Sequence, residues 1–404
     1  MLEMYVLKHK DEKCGLVSIE TGDGSLDEYV SANKSNAPFL GNDTRELMKK
    51  WWMTRCVPAT RKAMQEVIRL SGCGSAGEYL AKNLALSMTD CYWICPIDAD
   101  LKWDEVKLWV SGKMIGGRIP YHNATSYDPN ASLGGQMEKY WDLTGPAALL
   151  VKTAGMHYGQ QAINELFATI IHKAQSSRFP YVEYSIRETE DGDIQSVCAA
   201  FTSEKSEFLP AMEVLDSEKT SNDEALYDAY IRICSEHDID HAYISDFMDY
   251  QTLSDFVISN TDEHLMNFGI LRDPDSLRFI DAAPIFDSGN SMFYADTRRV
   301  PYERYELLER QVTSFHKSEE AMLKHVKNRS ILKEDLLPSA KEVKAFYECH
   351  GIPERKAGFI SSNYEKKVQM LKEFQNGKTI SLYTEKRHFG KIGVRNQQTK
   401  LVPG

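Results

Sequence analysis

The chain has 404 residues, 42% hydrophobic and 26% charged, which is length enough for about two or three packed units. Its 48 basic and 59 acidic residues leave a net charge of −11, which disfavours direct nucleic-acid binding through a broad basic surface. No run reaches the ~18 uninterrupted apolar residues of a membrane span, and the opening MLEMYVLKHKDEK turns charged too early for a secretory signal. A cytoplasmic protein without membrane contact is expected. The eight cysteines are scattered without a C-x-x-C pair, so free thiols in a reducing compartment are expected too.

Met4–Leu7 and Leu16–Ile19 alternate in the manner of short strands. From Thr44 to Leu86 the apolar spacing turns helical, as in Leu47, Trp51 and Trp52 and again in Ala63, Val67 and Leu70. The loop-rich segment 115–130, with Gly116, Gly117, Pro120 and Pro129, marks a boundary. The apolar run 147–151 predicts a strand ending in Lys152. A helix over 160–174 follows, with Ala162, Ile163, Leu166, Phe167, Ile170 and Ile171 on one stripe and Glu165 at its edge. Strand-like runs at 181–186 and 197–201 flank the turn Glu190-Asp191-Gly192-Asp193. Helices are expected over 224–234, 244–259, 319–326, 340–349 and 364–374.

This order predicts an α+β protein with a two-lobed fold. Its parts are a mainly helical N-terminal subdomain at 1–121, a small β-rich lobe at 122–205, a larger helical lobe at 206–378 and a basic tail at 379–404.

The chemistry concentrates in Asn260-Thr261-Asp262-Glu263-His264-Leu265-Met266-Asn267. A strand-like pair follows, and then Pro284-Ile285-Phe286-Asp287-Ser288-Gly289. Phosphoryl transfer needs a carboxylate beside the attacking hydroxyl and hard oxygen ligands for magnesium on the nucleotide phosphates. An Asp, an Asn five residues later and an Asp-x-Gly after twenty more supply that set, and protein kinases use the same Asp-to-Asn separation. Asp262 is therefore the candidate catalytic aspartate, and Asn267 and Asp287 are the candidate metal ligands. His264 is expected to brace the loop by a hydrogen bond.

A strand lysine and a helix glutamate complete the expected nucleotide machinery, and Lys152 and Glu165 stand in those positions. Ser132, Gly134, Gly135 and Gln136 form a glycine turn able to lay amide N–H groups against phosphates. Phe201, Thr202 and Ser203 fall where an inter-lobe linker would face adenine.

Over 125–330 these residues resemble the HipA family of bacterial serine/threonine kinases. That family carries a Ser-x-x-Gly-x-Gln-x-Lys loop, here Ser132 to Lys139, a strand lysine, here Lys152, and an Asn-Glu helix opening, here Asn164-Glu165. Its T-D-x-H-x-x-N loop matches Thr261 to Asn267, and its acidic residue after Pro-x-aromatic matches Asp287. The resemblance implies an ATP- and Mg2+-dependent serine/threonine protein kinase, autophosphorylation at Ser132, a protein substrate and an antitoxin-like or regulatory protein partner. Two alternatives share the pattern: a lipid or small-molecule kinase, and a nucleotide-binding pseudokinase.

Overall fold

In the computed structural model, residues 1–58, 60–109 and 127–387 are described. Alternating inward and outward side chains near the N-terminus make a four-stranded antiparallel sheet. Its strands are β1 (Leu2–His9), β2 (Glu12–Glu20), β3 (Leu26–Ser31) and β4 (Tyr92–Pro96), in the order β3-β2-β1-β4. Tyr5 pairs with Val17 on one side and Pro96 on the other, which turns Tyr5, Leu7 and His9 toward the core. The helices Arg45–Arg55, Lys62–Leu70 and Ala76–Lys82 also belong to this stretch.

A mainly helical N-terminal subdomain is thus corrected to a mixed one. β3 escaped notice because most of its side chains stay wet, and β4 because it is buried on both faces and lacks alternation.

The second sheet holds β5 (Glu138–Asp142), β6 (Leu149–Ala154), β7 (Ser185–Glu188) and β8 (Ile194–Ala199), in the order β5-β6-β8-β7. The third holds β9 (Glu207–Pro210), β10 (Gly269–Arg272) and β11 (Phe279–Ala282), in the order β11-β10-β9. The chain divides into two compact units that cut across the expected linear boundaries. The first comprises 1–154, 182–241 and 268–284, and the second 155–181, 242–267 and 285–404. The eleven strands found among the described residues all fall in the first. The expected boundary loop at 115–130 and the basic tail lie largely outside the described residues.

Inside the first unit, Glu207 and Arg272 face each other across the β9–β10 ladder. Both are buried, and Arg272 Nε donates to Glu207 Oε1 at 2.6 Å. His9 Nε2 lies 3.0 Å from Glu207 Oε2, and the Cys91 amide donates to the same oxygen at 3.1 Å. His9, Cys91 and Glu207 lie close enough to ligate a metal, but both carboxylate oxygens are already engaged. One ion pair therefore ties β1 and β4 to the third sheet. Burial pushes the Glu207 carboxyl up, but Arg272 and His9 outweigh it and hold it at about 2.

The second unit is helical. The Gln160–Gln175 helix sets Phe167 against Phe346, Tyr347 and Tyr364 at ring separations of 5.3, 5.6 and 6.0 Å. Those partners belong to the Ala340–Cys349 and Glu354–Gln375 helices. The His241–Ile258 helix is buried on all sides from Phe247 to Ile258, as a core helix must be. Among the described residues no helix is long and apolar enough to cross a membrane, and all eight cysteines are free thiols.

Truncating Arg272 to Ala strands a buried carboxylate, so urea unfolding should show a loss of about 3–5 kcal/mol. Because the Glu207 carboxyl is depressed, its stabilisation is full above its ordinary value near 4.5 and fades as the pH falls toward about 2. Acid titration of the Arg272→Ala protein should accordingly show a shallower loss of stability over that window than the parent chain.

Candidate active site

The His241–Ile258 helix ends in Ser259, whose φ of 54° turns the chain sharply into Asn260. Asn260 is fully buried and organises the loop beyond it. Its Nδ2 donates to Asp255 Oδ1 at 3.0 Å and to Glu263 Oε2 at 3.1 Å, while its Oδ1 accepts the Asp262 amide at 3.3 Å. Gln251 Nε2 donates to Glu263 Oε1 at 2.6 Å. Burial raises the carboxyls of both Asp255 and Glu263. For Glu263 the charges of Asp255, Asp287 and Asp262 add to the rise. Two acids thus lie beneath the loop, each favouring its neutral form.

Asp262 is partly exposed above this base. Its carbonyl accepts the His264 amide at 2.9 Å and Asn267 Nδ2 at 2.8 Å. The His264 carbonyl accepts the Asn267 amide at 2.7 Å, and its Nδ1 accepts the Met266 amide at 3.3 Å. With Nδ2 held by Asp262, the Asn267 amide offers its oxygen as the atom for a metal.

The Asp287 turn belongs to the same compact unit. Asp287 has φ 63° and ψ 41°, a left-handed geometry that few residues other than Gly, Asn and Asp accept. Asn290 then reaches Asp262 directly, with Nδ2 donating to Oδ2 at 2.5 Å. The start of the Gln160–Gln175 helix grips this turn with three amide side chains. Gln161 Nε2 donates to Asn290 Oδ1 at 2.9 Å, Asn164 Nδ2 to the carbonyls of Gly289 and Ser291 at 2.8 and 2.7 Å, and Gln160 Nε2 to the Met292 carbonyl at 2.9 Å. Tyr347 fixes Asn164 in turn, its hydroxyl donating to Oδ1 at 2.8 Å.

Asn290, Gln160 and Gln161 did not stand out in the sequence. An Asn three residues past Asp287 was the one available signal, and neutral amides on a helix carry no signature of their own. Glu165, placed by the helical wheel at the edge of the apolar stripe, is fully buried.

In the first unit, Lys152 is 2% exposed on β6, opposite Lys139 and Ser196, with Nζ 5.3 Å from the Tyr184 ring centroid. Ser132 is half-buried in a turn, and Gly135 has φ 84°. Gln136 Oε1 accepts from Thr60 Oγ1 at 2.6 Å. Past β8, Phe201 packs edge-on against Phe208, and Ser203 bridges to Ser206. Thr202 Oγ1 donates to the Met88 carbonyl at 2.7 Å, so its hydroxyl is committed to the protein.

The donor set of the loop suits magnesium, a hard cation that takes one or two carboxylates and keeps several waters. Asp287 provides a carboxylate and Asn267 an oriented amide oxygen.

No protein-family model matches this chain, and no curated protein matches it. Among solved structures, the Helicobacter pylori proinflammatory kinase CtkA is similar at 15% identity, covering 61% of this chain and 94% of its own, with a TM-score of 0.45. HipA of Shewanella oneidensis MR-1, solved in a toxin–antitoxin complex with HipB and operator DNA, is similar at 14% identity. That match covers 92% of this chain and 90% of HipA, with a TM-score of 0.47. Neither likeness assigns this chain a family, an activity or a partner.

The raised carboxyls oppose folding as pH rises. The native state keeps protons that the unfolded chain releases above about pH 4, so stability declines from there upward through the raised native values. Asp255→Asn keeps an oxygen for Asn260 and removes one of the two titrating carboxyls. Thermal melts between pH 5 and 8 should therefore show a flatter pH dependence than the parent, with the largest relative gain at the alkaline end. Parallel curves would rule out an acid pair beneath the loop.

Proposed function

We propose that this protein is an Mg-ATP-dependent kinase of the HipA type that transfers the γ-phosphoryl group to a serine or threonine hydroxyl of a protein. The observation that carries the reading is the 2.5 Å hydrogen bond from Asn290 Nδ2 to Asp262 Oδ2. It couples the Asp262–Asn267 loop and the Asp287–Asn290 turn, two segments meaningful together chiefly in phosphoryl transfer.

In this reading Asp262 orients the attacking hydroxyl and accepts its proton. Asn290 holds one carboxylate oxygen, which aims the other at substrate. Asn267 Oδ1 and Asp287 are the residues that would hold magnesium. Bound there, the ion supplies neutralisation of charge on the nucleotide phosphates. Lys152 and the Ser132–Gln136 turn are the candidate phosphate contacts of the first unit. Positioning and fixed charge would then provide most of the acceleration.

Ser132 would also be the site of self-modification. A phosphate there adds roughly −1.5 to −2 charges to a turn meant to attract phosphates, which favours loss of nucleotide.

Incubation with labelled Mg-ATP and phosphopeptide mapping test the reading directly. Label on protein serine or threonine, Ser132 included, is expected, whereas label only on added lipids or small molecules would contradict a protein substrate. Asp262→Asn should lower transfer about 10²–10⁴-fold while Mg-ATP still raises the melting temperature. Asn290→Ala should lower kcat about tenfold, the size of one charge-assisted hydrogen bond, with little change in KM for ATP.

A further inference from the structure

Three successive residues at the start of the Lys62–Leu70 helix hold the glycine turn. Thr60 Oγ1 donates to Gln136 Oε1 at 2.6 Å, and the Lys62 amide donates to Glu138 Oε1 at 2.8 Å. Between them Arg61, 2% exposed, donates to three consecutive carbonyls, those of Leu133, Gly134 and Gly135, the last through Nε at 2.8 Å. Leu133 is itself anchored in the core with Trp93, Trp103 and Trp141.

In a trans peptide the carbonyl and the following N–H point in opposite directions. Three carbonyls turned toward Arg61 therefore turn the N–H groups of Gly134, Gly135 and Gln136 the other way. Among the described residues none of these three amides donates a hydrogen bond. Gly135 makes the bend at φ 84°, where a side chain would be strained.

Among the described residues no carboxylate hydrogen-bonds Arg61, and its Nη1 is buried without a partner. A buried cation at the carbonyl ends of three peptide dipoles makes their N–H ends more positive.

We propose that Arg61 is the positioning residue of a phosphate nest. It clamps the carbonyls of Leu133, Gly134 and Gly135 so that the amides of Gly134, Gly135 and Gln136 converge on a phosphoryl group of a nucleoside triphosphate. The proposal rests on the kinase reading of this turn and gives the N-terminal segment a task within it. Arg61 acts through the backbone and touches neither reactant. A planar fork with several fixed donors suits three carbonyls better than a single ammonium does.

Hydrogen exchange at residues 133–138, with and without Mg-ATP, tests the clamp alongside steady-state kinetics. In the parent protein Mg-ATP should slow exchange at 134–136. Arg61→Ala should abolish that protection and raise KM for ATP about tenfold or more, with kcat within about threefold of the parent. Arg61→Lys should recover part of both. A folded Arg61→Ala protein with parental KM and parental protection would overturn the clamp while leaving the kinase reading intact. If Mg-ATP protects nothing at 134–136 in the parent, the turn is no phosphate site and the proposal fails with it. Should Arg61→Ala not fold, Arg61→Gln, neutral and similar in bulk, takes its place and the same outcomes decide.

Discussion

A buried asparagine carries the candidate active site. Asn260 must satisfy its polar atoms away from water, and it does so on Asp255, Glu263 and the Asp262 amide. That requirement fixes the path of the chain as it leaves the His241–Ile258 helix and sets the carboxylate of Asp262 on a rigid base. The network runs deeper into the same unit. Ser259 donates to Glu319, which also takes a 3.2 Å contact from Arg310 Nε and pairs with Lys367 on the Glu354–Gln375 helix. Buried polar groups of this kind cost desolvation, and half-satisfied they would destabilise. Here both Glu263 oxygens, Asp255 Oδ1 and Asn260 Oδ1 each have a donor, which suits a site whose geometry must not drift.

The same logic governs the other compact unit. Glu207, Arg272 and His9 join strands from two sheets through one buried carboxylate, and Arg61 joins the N-terminal helices to the glycine turn. Asp128 adds a second anchor just before that turn. It accepts the Tyr79 hydroxyl at 2.7 Å and both the amide and the side-chain nitrogen of Asn130 at 2.9 Å. The N-terminal segment is therefore part of the framework of the turn, and its sheet shares the core that buries Leu133. Backbone amides that have no partner of their own among the described residues, held from behind by a cation, are a different device from a lysine that meets phosphate directly.

Much of the secondary structure was legible because periodicity is a local property. The Gln160–Gln175 helix, the strand carrying Lys152 and the β10–β11 pair fall within a few residues of where spacing put them. β3, β4 and β9 were not legible. β4 and β9 pair with strands far along the chain, and β4 shows an unbroken apolar run in place of alternation, while β3 pairs with its neighbour β2 but keeps most of its side chains wet. The burial of Glu165 was not legible either, since a wheel drawn for one helix cannot show what covers its edge.

The sequence by itself determined the chemistry on offer: an Asp–Asn loop, an Asp-x-Gly turn, a strand lysine and a glycine turn, each recognisable from residue type and spacing. Tertiary structure alone decided which side chains aim them. Asn290 meets Asp262 across 28 positions, and Arg61 meets Gly134 across 73. No local pattern encodes such contacts, because an amide or a guanidinium gains its role from the carbonyls and carboxylates that folding brings within hydrogen-bond reach.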